Sequence, residues 1–284
     1  MWRLSGFADE IDPDLGVQAE TLLALGVGHL EFRAAWGKNV LALNDEEIDR
    51  AGRLLGEAGI AVSSIASPVG KSGITEPFEP HLEAFARAME VAGRLGAPFI
   101  RIFSFYIPAG DDPAAHREAV LERLGTLVEE ARGRGVTLLH ENEKGIYGDT
   151  PARCHDLLSA IDDPTLRAAW DPANFVQVGV RPFDEGWEIL RPYVDYLHVK
   201  DARLGTGEVT VAGAGDGQWP ETLAAMRADG WQGFCSLEPH LALAGERSGF
   251  SGPDLFRQAT EALVALLDEH DIAYDAGGPP PGER

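Results

Sequence analysis

Basic residues are scarce in this chain: 24 Lys and Arg stand against 46 Asp and Glu, for a formal net charge of -22. Nucleic-acid affinity comes largely from cations that neutralise phosphates, so neither nucleic acid nor an anionic membrane surface is an expected partner. The acidity reads instead as a solubilising outer surface. No apolar run approaches the roughly 20 residues that span a bilayer, and the N-terminal MWRLSGFADEID sets acids where a signal peptide has its apolar core. A cytoplasmic location is expected. Cysteine is nearly absent. Cys154 and Cys235 are far apart and outside any paired-thiol motif, which argues against a disulfide framework or a thiolate zinc site and leaves two ordinary buried or half-buried thiols. A G-x-G-x-x-G turn after the first strand is also missing, which weighs against a dinucleotide-binding sheet.

What the chain does have is a recurring unit: an amphipathic stretch, a glycine, then a short apolar run rich in β-branched residues that stops at polar ones. It appears as LLALGVGHLEFR, LLGEAGIAVSSIAS, AGRLGAPFIRIFSF, ARGRGVTLLHENE and RADGWQGFCSLEPH. Glycine closes a helix because it enters the left-handed region without a Cβ clash, so each unit reads as helix, stop, strand. This rule places eight strands, starting near Arg3, Gly28, Ile60, Pro98, Val136, Arg167, Val194 and Gly233. Helices are expected over Asp45 to Glu57, His81 to Leu95, Ala114 to Arg132 and Asp254 to Asp268. Asp12, Asp112 and Thr150 stand as caps before prolines, and Asn44 to Glu47 reads as a capping box. Eight alternations fit a single (β/α)8 TIM barrel over residues 1–272, with a large doubly wound sheet as the alternative. The Gly/Pro-rich end, 273–284, reads as a flexible tail.

In such a barrel the active site is built at the C-terminal strand ends. Here four adjacent strands each end in one potential metal ligand: Glu141, Asp171, His198 and Glu238. Three carboxylates and an imidazole suit one divalent ion, Mn2+ first, with Mg2+, Co2+ or Zn2+ as alternatives. Alternation along the strands puts Glu143, Lys200 and His240 beside these ligands. Glu31 and Asn174 are read as partners for substrate hydroxyls, Arg33 as a rim charge, and Asp9, Glu10 and Asp201 as helix caps. Glu31 is read equally well as paired with Arg33; Lys200 is a candidate to hold a hydroxyl, a carboxylate or a phosphate, with a salt bridge to Asp201 as the alternative. Trp2, Phe7, Phe105 and Trp170 are candidates for an apolar wall against a sugar face, although most aromatics are expected in the core. The segment Ser67 to Glu79 reads equally as a lid or a surface loop.

Leu139-His140-Glu141-Asn142-Glu143, Trp170-Asp171-Pro172-Ala173-Asn174-Phe175, Leu197-His198-Val199-Lys200-Asp201, Gly213-Ala214-Gly215-Asp216-Gly217 and Leu237-Glu238-Pro239-His240, in that order, resemble the xylose isomerase-like TIM barrel superfamily of sugar isomerases and epimerases. The resemblance covers nearly the whole barrel. It implies that Glu141, Asp171, His198 and Glu238 bind the metal and that Glu141 and Glu238, as in the ketose 3-epimerases, also act as an acid/base pair on opposite faces of the substrate. Two positions depart from those epimerases: Asn174 stands in place of a histidine and Leu204 in place of an arginine, with Arg203 one residue short of that arginine and kept as a substrate-binding candidate. The superfamily also holds inosose dehydratases, 3-dehydroshikimate dehydratases, hydroxypyruvate isomerases and an abasic-site nuclease branch, so membership alone does not fix the reaction.

The expected function is therefore a metal-dependent isomerase or epimerase of a small ketose or polyol-derived ketone, with a possible homodimeric assembly. A lyase acting through the same first proton abstraction is the second reading, and a non-catalytic sugar-binding barrel the third. The nuclease reading is weakest, because such enzymes need more histidines around their metals and a less acidic surface.

Overall fold

The computed structural model describes residues 1–244 and 249–275. Eight parallel strands form the barrel: β1 (Trp2–Gly6), β2 (His29–Phe32), β3 (Ala61–Ile65), β4 (Phe99–Ile102), β5 (Thr137–Glu141), β6 (Leu166–Trp170), β7 (Val194–Val199) and β8 (Phe234–Leu237). Each starts within one residue of its expected position. The ladder runs β1-β8-β7-β6-β5-β4-β3-β2, every pairing parallel. Between β1 and β2 there is no ladder among the described residues, although the two strands lie side by side. Side chains close this seam: His29 Nδ1 lies 3.2 Å from the Leu4 carbonyl, and Ser5 Oγ lies 2.6 Å from Ser63 Oγ on β3.

The connecting helices include α1 (Leu15–Ala24), α2 (Asp45–Ala58), α3 (Glu79–Leu95), α4 (Arg117–Ala131), α5 (Pro151–Ile161), α6 (Pro172–Gln177), α7 (Glu188–Leu190), α8 (Trp219–Ala228) and α9 (Pro253–Glu269). The capping box of α2 is formed in full, Asn44 Oδ1 accepting from Glu47 N–H and Glu47 Oε2 from Asn44 N–H. Two caps differ from expectation. Asp14, not Asp12, caps α1, because Asp12 is spent on the Asp14 N–H; Thr150 precedes Pro151 but makes no side-chain cap bond. Asp112 does cap a turn, a 3-10 segment over Pro113–His116 that delays α4 by three residues from its expected start at Ala114. No helix among the described residues is long and apolar enough to cross a membrane.

At the chain's end, Tyr274 and Asp275 pair in parallel with Trp2 and Arg3, so the ordered chain extends past the expected boundary at residue 272. The remainder of the expected tail, 276–284, lies outside the described residues.

Strand alternation divides the interior in two. Outward side chains such as Leu30, Ile100, Leu138, Leu197 and Cys235 join the helices in the main core. Inward ones fill the lumen, where Phe99, Leu139, Ala169, Tyr196 and Phe234 form a separate apolar plug. The Ser63 hydroxyl, 2.8 Å from the Tyr196 hydroxyl, joins this plug to β1. The lumen below the mouth is therefore solid, and the next inward residues on each strand must meet above it.

His140, outward on β5, is 1% exposed, with Nε2 2.9 Å from Ser104 Oγ, which in turn accepts the Gly148 N–H. Burial pushes its pKa down to about 4, with only partial opposition from Glu141. The folded state thus refuses a proton that the unfolded chain takes near pH 6.5, so stability is full above that pH and is lost as pH falls towards 4. We expect His140→Gln to remove about 2 kcal/mol of the stability difference between pH 7 and pH 5. Urea unfolding midpoints at the two pH values check it; an unchanged difference in the variant would refute the assignment.

Candidate metal centre

Above the plug, β5 to β8 present Glu141, Asp171, His198 and Glu238, all buried, with one ligand atom from each lying within 4.8 Å of the others. Local structure aims each group. Asp171 follows β6 in an extended conformation and caps α6 through Oδ1, which accepts the Asn174 N–H at 3.0 Å; this leaves Oδ2 for the centre. Its backbone is gripped on both sides by Asn142, whose amide donates to the Asp171 carbonyl and whose Oδ1 accepts the Asp171 N–H. Glu141 Oε1 accepts from Asn174 Nδ2 at 3.2 Å, while Oε2 lies 3.1 Å from Arg101 Nη1 and 3.4 Å from His198 Nδ1. The His198 ring packs edge-on against Phe7 and Tyr196. Glu238 Oε2 accepts from Lys200 Nζ at 2.7 Å, and Oε1 lies 3.2 Å from Arg33 Nη1.

These residues fit a divalent cation. Glu141 Oε2, Asp171 Oδ2 and His198 Nδ1 are all buried and make no hydrogen bond of good geometry, although Arg101 lies 3.1 Å from the first and Lys200 2.7 Å from the second. A buried polar group left without a partner costs about 1–3 kcal/mol. An ion taking three carboxylate oxygens and one imidazole nitrogen would give His198 Nδ1 a partner and share the two carboxylate oxygens with Arg101 and Lys200.

The electrostatics are organised around the carboxylates. Burial, the largest influence, would raise Glu141, but His198 and Arg101 outweigh it and hold the group well below the usual carboxylate range. Burial likewise opposes ionisation of Glu238, and Lys200, His240 and His198 overcome it. For Asp171 burial prevails over Lys200, with Glu141 and Glu238 adding to it, and the pKa rises to about 6. Burial would lower His198, yet Glu31 and Glu141 carry it up to about 10. Glu141 and Glu238 are thus both ionised bases; the environment does not split them into an acid and a base.

Most of the remaining candidates gather here. Lys200 pairs with Asp171 and Glu238, each at 2.7 Å, rather than with Asp201. His240 Nε2 lies 3.4 Å from Glu238 and 3.2 Å from Glu10. Glu143 stands at the mouth, bound by Lys71 at 3.0 Å. Asn174 is spent on Glu141 and the Asn142 carbonyl, and Glu31 faces His198 and not Arg33.

Several expectations are corrected. Arg33 is no rim charge: it is 6% exposed and pairs with Asp9, Glu10 and Glu238, because its place on β2 turns it inward with Glu31. Arg203 is exposed and turned towards Glu208, away from the centre. Asp9 and Glu10 cap no helix; Asp9 binds Arg33, and Glu10 accepts the His240 N–H and the Ser251 hydroxyl. Asp201 instead gathers the N–H groups of Gly213, Gly215 and Gly217, and a Cβ at Gly215 would stand 2.5 Å from its carboxylate, which explains the glycines of that motif. Of the aromatic wall, only Phe7 faces the site: Trp2 packs on Trp231, Phe105 on Phe78, and Trp170 on Phe175 and Trp187. The 67–79 segment is held down by Ser67 on the Arg101 carbonyl and by Ile74 N–H on the Tyr106 carbonyl, and carries Lys71 over Phe103.

Sequence reasoning missed Arg101, Lys71 and Asn142. Arg101 left a trace: a lone charge in the apolar run of β4, on the inward parity.

Residues 19–264 match the model of the xylose isomerase-like TIM barrel family. A 2-epi-5-epi-valiolone 7-phosphate 2-epimerase from Actinoplanes sp. is 29% identical over 225 residues, 78% of this chain and 73% of that one. Among solved structures, an IOLI protein with a binding zinc atom superposes with TM-score 0.77 at 15% identity, covering 94% of this chain and 99% of that one. A probable 3-DHS dehydratase from Bacillus anthracis superposes with TM-score 0.72 at 16% identity, over 93% and 99%. At these identities the structures show a shared fold.

Removing Arg33 leaves Asp9, Glu10 and one oxygen of Glu238 without their buried cation. We expect Arg33→Met to cost about 3–5 kcal/mol, whereas Arg203→Met should change stability by no more than about 0.5 kcal/mol. Denaturant titration of both variants decides it; equal stabilities would remove Arg33 from the network.

Proposed function

Since the chain belongs to the xylose isomerase-like TIM barrel family, we propose that it is a divalent-metal-dependent isomerase or epimerase of a small ketose or polyol-derived ketone. The observation that carries this reading is the placement of two buried, ionised glutamates, Glu141 on β5 and Glu238 after β8, in one cluster with Asp171 and His198 whose ligand atoms lie within 4.8 Å of one another. The similarity to an epimerase supports it. A cation held by Glu141, Asp171, His198 and Glu238, Mn2+ first and Mg2+, Co2+ or Zn2+ as alternatives, supplies the Lewis acidity that polarises a ketone carbonyl and acidifies the neighbouring C–H.

The rest is the work of side chains. One glutamate, kept ionised by Arg101 and His198 or by Lys200 and His240, takes the proton beside the carbonyl. If the same glutamate returns it to the adjacent carbon while the hydroxyl proton passes between the two oxygens, the outcome is isomerisation; if the other glutamate, first protonated from solvent, delivers its proton from the opposite face and the first releases its own to solvent, it is epimerisation. Phe7 and Phe103, stacked under and beside the guanidinium groups of Arg33 and Arg101, keep water from the charged layer. Glu143, Lys71 and His240, at the mouth, are the groups within reach of substrate hydroxyls.

Elemental mass spectrometry of the purified protein should find about one divalent ion per chain, lost in Asp171→Asn and His198→Ala. With that metal restored, a panel of ketoses and polyol ketones in deuterium oxide should yield a carbon-bound deuterium, and Glu238→Gln should lower the rate by roughly 10²–10⁴-fold with the fold intact. A near-ultraviolet enone product instead would make the protein a lyase. Binding without turnover would make it a sugar-binding barrel, and failure to take up metal would sink the mechanism.

A further inference from the structure

We infer that Glu31 is a positioning residue for His198, accepting the N–H of the imidazole's outer nitrogen so that the inner nitrogen is presented to the centre. The inference rests on the metal-centre reading above and departs from the sequence-based expectation that Glu31 meets a substrate hydroxyl.

Glu31 is fully buried. Its two carboxylate oxygens each lie 3.3 Å from His198 Nε2. The opposite nitrogen, Nδ1, faces Glu141 Oε2 at 3.4 Å and Glu238 Oε2 at 3.9 Å and has no hydrogen-bond partner. The ring therefore separates Glu31 from the ligand set. Among the described residues no lysine or arginine lies in ion-pair range of Glu31. A carboxylate taken wholly out of water with a single imidazole for company is costly unless that contact is worth keeping.

Its value is chemical. A cation at the centre would displace the second proton that the ring otherwise holds, and in the neutral imidazole that results the hydrogen bond made by one nitrogen decides which role falls to the other. An ionised carboxylate only accepts, so at Nε2 it fixes the proton there and leaves the Nδ1 lone pair for a cation. Phe7 and Tyr196, with ring centroids 5.2 and 5.7 Å from that of His198, leave the ring little freedom to turn away. The backbone contributes as well. The β2–β3 register shifts between Leu30 and Glu31, a local irregularity of the kind that re-aims a side chain, and from there Glu31 reaches across the lumen to β7.

The test uses the full chain and Mn2+ alone as the probe, with affinity read by competition against a chelator and folding checked by circular dichroism. Glu31→Leu should weaken Mn2+ binding by about 10–100-fold, and Glu31→Gln, which still offers an amide oxygen to Nε2–H, should recover part of the loss. In a His198→Ala background, where the weakened binding is followed at raised Mn2+ concentration, Glu31→Leu should add nothing, because the two residues act through one nitrogen. Unchanged Mn2+ affinity in a folded Glu31→Leu protein, or additive losses in the double variant, would overturn the role while leaving the metal centre standing. Absence of Mn2+ binding by the wild-type chain would overturn both.

Discussion

Carboxylates brought together in a dry barrel mouth repel one another and lose their hydration, and they remain ionised only if cations are supplied at contact distance. The arrangement of this protein's mouth follows from that constraint. Arg33 comes from the end of β2, Arg101 from β4 and Lys200 from the end of β7, each inward by the same two-residue alternation that aims the acids. All three are buried, so their charges are little screened by water. His198 and Arg101 hold Glu141 ionised and Lys200, with His240 and His198, holds Glu238 so, while burial, with the neighbouring carboxylates adding to it, drives Asp171 upward.

The fold was legible because it is written locally. Glycine stops and β-branched runs recur with the βα period, and each barrel strand begins within a residue of where that pattern puts it. Glu141, Asp171, His198 and Glu238 were legible for the same reason: a polar residue ending an apolar strand is a local signal, and adjacent strands carry it to the same depth. Asp171 carries two signals at once, since one carboxylate oxygen serves as a helix cap and the other turns to the centre.

What escaped was partner choice. Arg33 looks like a rim charge because it sits at the end of its strand, and only the folded barrel brings Asp9, Glu10 and Glu238 around it. Glu31 was weighed against Arg33 because the two are neighbours in sequence, yet its partner lies 167 residues away, on the far side of the lumen. Lys71 sits in a Gly/Pro-rich segment with no periodicity, so nothing local aims it at Glu143. Spacing predicts which way a side chain faces; it does not predict what arrives from another strand.

The seam between β1 and β2 gives the barrel a grain. Backbone ladders tie β5, β6, β7 and β8 together, with one register shift at Ala168 and Ala169, and Glu141, Asp171, His198 and Glu238 all stand at the ends of these strands. The seam lies outside them and is closed by side chains rather than by a ladder. The two sides nonetheless stay joined, because Glu31 and Arg33 from β2 reach His198 and Glu238, so side chains and not backbone bonds carry the connection from the seam to the cluster.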